Sequence, residues 1–288
     1  MTAPRQRRRV ARAGVIVSFV VGALLLVPVL IVGPMSFTRG DTVTFPPQGF
    51  SLKWYQAIFE QAQWTTRLPV SFDTALATTV LATTLGTMLA IGLSRATFRS
   101  RSLVWLLVLG PLLVPVVVLA TGEFFVMADG WRAGPIHVGG HMVGTLQALI
   151  LAHTVLALPY PTILVSASLR GLDPDLELAA ASLGAGPWTR FRRILLPLIA
   201  PGVIAGAVFA FLTSWEEVVM ASFLTSGRLS TVPVQVFTEL NQALDPTAAA
   251  ISSLLLVVSL LGAAAIAIAS RNRRTRATRT YDSGADGT

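Results

Sequence analysis

The chain has 288 residues, of which 53% are hydrophobic and only 12% charged, with a formal net charge of +8 and no cysteine. A mean hydropathy of +0.68 excludes an ordinary soluble domain, and the missing thiols exclude disulfides, thiolate zinc sites and iron–sulfur clusters. A hydrocarbon layer about 30 Å thick is crossed by roughly 20 apolar residues in helix. Six stretches without a charged side chain meet that length: 13–38, 74–94, 102–122, 133–169, 194–215 and 246–270. They predict an all-α, polytopic membrane protein with six spans.

The first span covers residues 13–37. It follows a basic N-terminus, as a secretory signal would, but the run is too long for a typical signal core and no small-residue cleavage site follows it. A polar loop comes next, in which Lys53–Gln61 is predicted as a short interfacial helix, with Trp54, Tyr55 and Trp64 at headgroup depth. The second span, Val70–Leu93, carries small residues four apart: Ala75, Thr79, Thr83 and Thr87, and beside them Ala82, Gly86 and Ala90. Such stripes let helices approach closely in lipid. The third span, Leu103–Met127, contains Pro111 and Pro115. The fourth, Val143–Leu169, contains Leu158–Pro161 (LPYP), where two prolines predict a kink or break. The fifth starts near Ile194 and has Gly202, Gly206, Ala210 and Ser214 on one stripe, ending at Trp215, Glu216 and Glu217. The sixth covers Ala248–Ser270, before a basic tail. These elements divide the chain into a leading segment, 1–69, a membrane core, 70–270, and a tail, 271–288.

Seventeen of the 22 basic residues fall on one side of this six-span arrangement, at both termini and in the loops after the second and fourth spans. The excess places that side, and both termini, in the cytoplasm. It also accounts for the positive charge without nucleic acid, and no aromatic interleaving suggests a nucleic-acid surface.

Between the fourth and fifth spans lies GLDPDLELAAASLGAGPWTRFRRILLP, Gly171–Pro197. Asp173 suits an N-cap and Pro174 the first helical position, with Asp175 and Glu177 in the first turn where the helix dipole favours them. Leu176, Ala180 and Leu183 share a face, and Ala179, Ala181 and Ser182 keep the remaining surface shallow. Gly184 fits the C′ position, and Gly186-Pro187 ends one helix and starts another. The bare reading is an interfacial re-entry helix. The sharper one is a knob that docks a cytoplasmic partner.

This loop resembles the signature of permease subunits of ATP-binding-cassette importers, Glu-Ala-Ala, three residues, Gly, nine residues, then Ile-x-Leu-Pro. Ala179, Ala180, Gly184, Ile194, Leu196 and Pro197 match, whereas Leu178 stands at the glutamate position and Glu177 one residue earlier. The stretches LPYPTILVSASLRGLDPDLELAAASLGA, SWEEVVMASFLTSG, TVPVQVFTEL and LDPTAAAISSLLLVVSLL are similar to the second permease of spermidine/putrescine importers, a subgroup whose relatives also carry phosphonates and ferric iron. The resemblance implies that spans two to six form the permease core. It also implies a dimeric partner ATPase holding the ATP and magnesium, a second and different permease, and an extracytoplasmic solute-binding protein, in a bacterial inner membrane. It implies ATPase coupling through Glu177, Ala179, Ala180, Ser182, Leu183, Gly184, Ala185, Ile194, Leu196 and Pro197.

The chain contains no GxxxxGK[ST] loop and no assembled nucleophile motif, so it is read as a transport subunit rather than an enzyme, with no cofactor of its own. Ionisable groups at membrane depth default to function. Glu216, Glu217 and Glu123 are therefore the pathway candidates, with Trp215 and Tyr160 beside them, and their sign suits a cationic solute such as a polyamine. Asp73 reads as a rim residue or cap. His137 and His141 have a helical metal spacing, but the intervening Gly139-Gly140 favours a loop; His153 reads as packed or hydrogen-bonded. The competing classes are an ion-coupled secondary transporter, which the lack of internal repeats does not support, and a membrane scaffold.

Overall fold

The structure, a computed structural model, describes residues 4–95, 99–133, 136–173, 175–227, 229–242 and 245–264. The expected positions of Pro174 and of the tail 271–288 lie outside these residues. Two compact units emerge, one comprising the chain up to Ala62 with Thr238–Leu256, the other Gln63–Phe237 with the chain from Val257.

In the first unit, α1 (Pro4–Met35) covers most of the first predicted span. The predicted interfacial helix is α2 (Lys53–Glu60). The loop between them is fastened by a bridge of Thr38 to Phe50, by Trp54 Nε1 donating to the Thr38 carbonyl at 2.9 Å, and by a 2.7 Å hydrogen bond joining the Ser36 and Tyr55 hydroxyls. Trp54 and Tyr55 thus serve the loop's own packing.

The second unit begins with α3 (Ala62–Arg95), longer than predicted; Trp64, expected at the headgroups, is fully buried in it. Asp73 lies exposed within α3 and caps nothing. The third predicted span is two helices, α4 (Arg101–Leu113) and α5 (Val116–Ala128), bent by 106°. Pro111 is accommodated inside α4, but Pro115 forces Val114 into extended backbone (φ −87°, ψ 135°), and the helix cannot continue. A two-stranded antiparallel hairpin follows, β1 (Trp131–Ala133) and β2 (Ile136–Val138), an addition to the all-α expectation. His137 lies in β2 and His141 in the loop beyond it at φ 57°, so their spacing is not helical.

The fourth span, α6 (Leu146–Ala157) and α7 (Pro159–Arg170), remains one membrane-length segment from Leu146 to Arg170. Leu158 keeps helical dihedrals, so the LPYP prolines interrupt the helix for only one residue. After α8 (Asp175–Ser182) the chain rises through α9 (Pro187–Arg190), a π turn at Phe191–Leu195 and α10 (Leu196–Trp215). The π turn precedes Pro197, which has no N–H for the next helical bond. Short helices α11 (Val219–Leu224) and α12 (Val232–Gln242) lead to α13 (Pro246–Ala264). Among the described residues four helices are long and apolar enough to cross a membrane, and the bent pair makes a possible fifth. The sequence count of six adds α1.

The core of this unit is stacked in layers four residues apart. Pro161 sits between Gly86 of α3 and Gly206 of α10. A methyl on Gly86 would lie 2.9 Å from Pro161 Cβ, and one on Gly206 only 2.6 Å from Pro161 Cα. One turn away Ala82, Ala157 and Ala210 form a buried cluster, and beyond it buried His153 bonds to Ser214. In the other direction Ala90, Val165, Leu195 and Ile199 close the next layer, and Gly202 admits the Leu164 carbonyl to within 2.7 Å of where its Cβ would stand. The small-residue stripes of the second and fifth spans therefore face each other across the fourth. We predict that Gly206→Ala costs about 1–3 kcal/mol by overpacking, whereas Gly110→Ala, with open space around it, leaves thermal unfolding of the detergent-solubilised chain unchanged or slightly raised; equal effects would refute the layered packing.

Candidate functional site

Two groups of predicted residues are brought together, at opposite ends of α10. The first is the loop after α7. Asp173 Oδ1 accepts from the Asp175 amide at 3.0 Å, which starts α8 as its sequence suggests. The helix ends with the Ala185 amide on the Ala180 carbonyl (3.0 Å), the Gly184 amide on the Ala181 carbonyl (2.9 Å), and Gly184 at φ +82°. This is a Schellman closure, and it needs a residue free of Cβ strain at Gly184.

None of the residues of α8 is buried. Leu183 is 88% exposed, Leu178 63% and Trp188 68%; the Trp188 ring stacks on Phe191 at 5.6 Å, and the loop presents a largely exposed apolar surface. Ala179, Ser182 and Gly184 are exposed between them, while Ala180 and Ala185 are partly covered. The underside is anchored: Leu172 and Phe191 pack on the layer of Val165, Leu195 and Ile199. Ile194 lines the hollow behind α8 with Leu176 and Leu198. Leu196 and Pro197 start α10 after the π turn. Glu177 turns inward, and both its carboxylate oxygens accept from Arg95 Nη2, at 2.7 and 2.8 Å. The sequence marked Arg95 only as a topological charge; nothing in 82 residues of separation signals that it holds the loop.

The second group lies past the other end of α10. The helix stops at Trp215, so Glu216 and Glu217 sit in a break and not on helical turns. Glu217 is buried and folds forward onto α11, accepting from the Met220 and Ala221 amides, both at 2.7 Å. It is a capping carboxylate. Glu216 is exposed and accepts from the Ser259 hydroxyl. His153, 1% exposed, bonds through Nδ1 to Ser214 at 2.7 Å, and its Nε2 faces the Glu217 carboxylate at 3.6 Å. Sequence reasoning read His153 as packed or hydrogen-bonded, and it is both, but did not place it beside Glu217.

Glu123 on α5 differs from both. Its two carboxylate oxygens are buried without hydrogen-bond partners among the described residues, and Glu217 is near enough to interact electrostatically. Glu123 lines a cleft of about 740 Å³ between α5 and α6, whose other walls are largely apolar, including Val118, Val126, Leu151 and Val155. Tyr160 and Trp215 are placed elsewhere. Tyr160 stacks on Phe209 (5.8 Å, 7° between ring planes), and Trp215 on Phe211 (5.6 Å), its indole N–H having no hydrogen-bond partner among the described residues.

Comparison with known proteins fits this arrangement. Residues 1–275 match the family model for a binding-protein-dependent transport system inner membrane component. The chain is 30% identical over 242 residues to the spermidine/putrescine transport system permease protein PotC of Haemophilus influenzae, covering 84% of this chain and 90% of that one. It is 36% identical over 203 residues to the molybdenum transport system permease protein ModB of Mycobacterium bovis, covering 67% and 74%. Among solved structures, a chain of a bacterial alginate ABC transporter in complex with its alginate-bound periplasmic protein superimposes with a TM-score of 0.68 at 15% identity, covering 94% of this chain and 96% of that one, a likeness of fold. The chain belongs to the inner-membrane components of binding-protein-dependent transport systems, the permease subunits of ABC importers.

Proposed function

We propose that this permease subunit carries a small organic cation of the polyamine class, pairs with a second, different permease, and receives its solute from an extracytoplasmic binding protein. We further propose that α8 and its flanking turn seat in a separate ATPase on the cytoplasmic side, with both termini facing the same compartment. The likeness to PotC over 84% of the chain carries the solute reading. Physical chemistry supports it, because the charge-free runs leave acids as the ionisable groups around the pathway end, and Glu123 keeps an unpaired carboxylate on the wall of a cleft. The likeness to ModB favours a second reading, an oxyanion permease. That reading would require a cationic or amide-rich lining where this chain places Glu123, and we rank it second.

For the ATPase contact, the exposed apolar faces of Leu178, Leu183 and Trp188 support docking, and the Schellman turn fixes the presentation of α8. Glu177 is assigned to bracing the loop against α3 through Arg95. Leu178, at the position where the family has glutamate, takes the outward place.

Three outcomes test this. Leu183→Asp alters an exposed side chain, so the permease should accumulate normally while copurification of the ATPase falls about tenfold or more; undiminished copurification would remove α8 from the docking site. Arg95→Gln and Glu177→Gln should each lower uptake modestly, and the double variant no further than the worse single, with a coupling energy of about 0.2–1 kcal/mol for a partly exposed pair. A much larger loss from Glu177→Gln alone would mean that Glu177 contacts the ATPase directly. Finally, with the cognate binding protein in proteoliposomes, Glu123→Gln should raise the polyamine concentration for half-maximal uptake about tenfold. Saturable molybdate uptake with no polyamine uptake would establish the second reading instead.

A further inference from the structure

Three helix ends meet at a cleft of about 360 Å³ that the transport reading leaves unused. Ser94 is the penultimate residue of α3, Arg101 the first of α4 and Arg170 the last of α7; Leu93, Trp105 and Ser166 complete the lining. Arg101 and Arg170 are exposed and form no ion pair among the described residues, in contrast to Arg95 next door, which Glu177 neutralises. Compensation of a helix dipole accounts for Arg170 at a C-terminus. It does not account for Arg101, which stands at the N-terminus of α4, where a cation is disfavoured. Ser94 donates its hydroxyl to the Ile91 carbonyl at 2.8 Å. Ser166 is 7% exposed, and its hydroxyl has no hydrogen-bond partner among the described residues. A buried hydroxyl without a partner costs free energy unless a ligand supplies one.

The two cations and the open hydroxyl call for an anion with several acceptor oxygens. Leu93 and the Trp105 ring, which share the lining, call for an apolar continuation of the same ligand. The cleft also lies where the charge-free segments 74–94 and 102–122 begin or end, which is headgroup depth for helices of this length. We propose that this cleft binds the phosphate of an anionic phospholipid, with Arg101 and Arg170 on the phosphate oxygens, Ser166 as a further donor, and the glycerol and upper acyl chain along Leu93 and Trp105. Basic pockets between spanning helices hold anionic headgroups in this way. The site adjoins Arg95 and the coupling loop but shares no residue assigned to solute or ATPase.

The test uses the full chain purified with its partner subunits in mild detergent, loaded with phosphatidylglycerol, washed, and examined by native mass spectrometry for retained lipid. Wild type should retain it. Arg101→Gln with Arg170→Gln should reduce retention on the order of tenfold, whereas Arg192→Gln with Arg193→Gln, an equal loss of charge outside the cleft, should change it less than about twofold. Ser166→Leu keeps both arginines but fills the floor, and should also lose the lipid. Should the double arginine variant fail to accumulate, the single changes at these exposed side chains decide in its place. Equal loss from the control pair would show a diffuse basic surface and overturn the proposal. So would retention in Ser166→Leu and in the arginine variants, and displacement of the lipid by millimolar inorganic phosphate would assign the cleft to a free anion. Polyamine uptake is scored separately, so failure of the lipid site leaves the transport reading untouched.

Discussion

The permease core depends on the clasp of Pro161 between Gly86 and Gly206. Helices in lipid gain nothing by burying apolar surface against one another, because the lipid is as apolar as they are. Association must come from close contact and from satisfied polar groups. Two glycines opposite one proline ring let three helices approach until backbone atoms touch, and every adjacent layer inherits that spacing. Alanines fill the next turn, and the turn after it holds a buried polar pair, His153 with Ser214. Larger residues return at Val165, Leu195 and Ile199 on one side and at Leu149, Met220 and Leu224 on the other.

A stack so tightly set gives α7 and α10 a fixed relation from one end to the other. At one end it continues into Leu172 and Phe191, which seat the α8 loop; at the other, Ser214 is one residue short of the α10 terminus and the Glu216–Glu217 break. Under the proposed coupling, movement of α8 need not pass through a chain of soft contacts. The close-packed helices would carry it as a body to the region where Glu217 fixes α11 and Glu123 lines the cleft. The ion pair of Arg95 with Glu177 adds α3 to the same body at the loop end.

Much of this was legible in the sequence because it rests on local rules. Spacing by four revealed the small-residue stripes, and the Asp-Pro start and Gly-Ala-Gly-Pro end framed α8 within a residue or two. What was not legible depended on which of several equivalent prolines meets which neighbour. Pro111, Pro115, Pro159 and Pro161 look alike as helix breakers, yet Pro115 alone bends its span, by forcing Val114 extended, while Pro161 becomes a packing surface. The same limit applied to the acids. Periodicity could not show that α10 would stop at Trp215, so Glu216 and Glu217, read as the end of the fifth span, fall in the break beyond it.

The acids show how environment separates identical side chains. Glu217 spends both oxygens on amides that α11 would otherwise leave open, so its charge is committed to structure. Glu216 is exposed and bonded to Ser259, where solvent and a hydroxyl both compete for it. Glu123 has neither an amide nor a hydroxyl partner among the described residues, and its carboxylate stands on the wall of a largely apolar cleft. A carboxylate in that position is best satisfied by something that arrives from outside the fold, and a protonated amine has both the charge and the donors to do it. Under the proposed function, the unpaired acid rather than the well-bonded one is therefore the group to associate with transport, even though the sequence drew attention first to the adjacent pair at the end of α10.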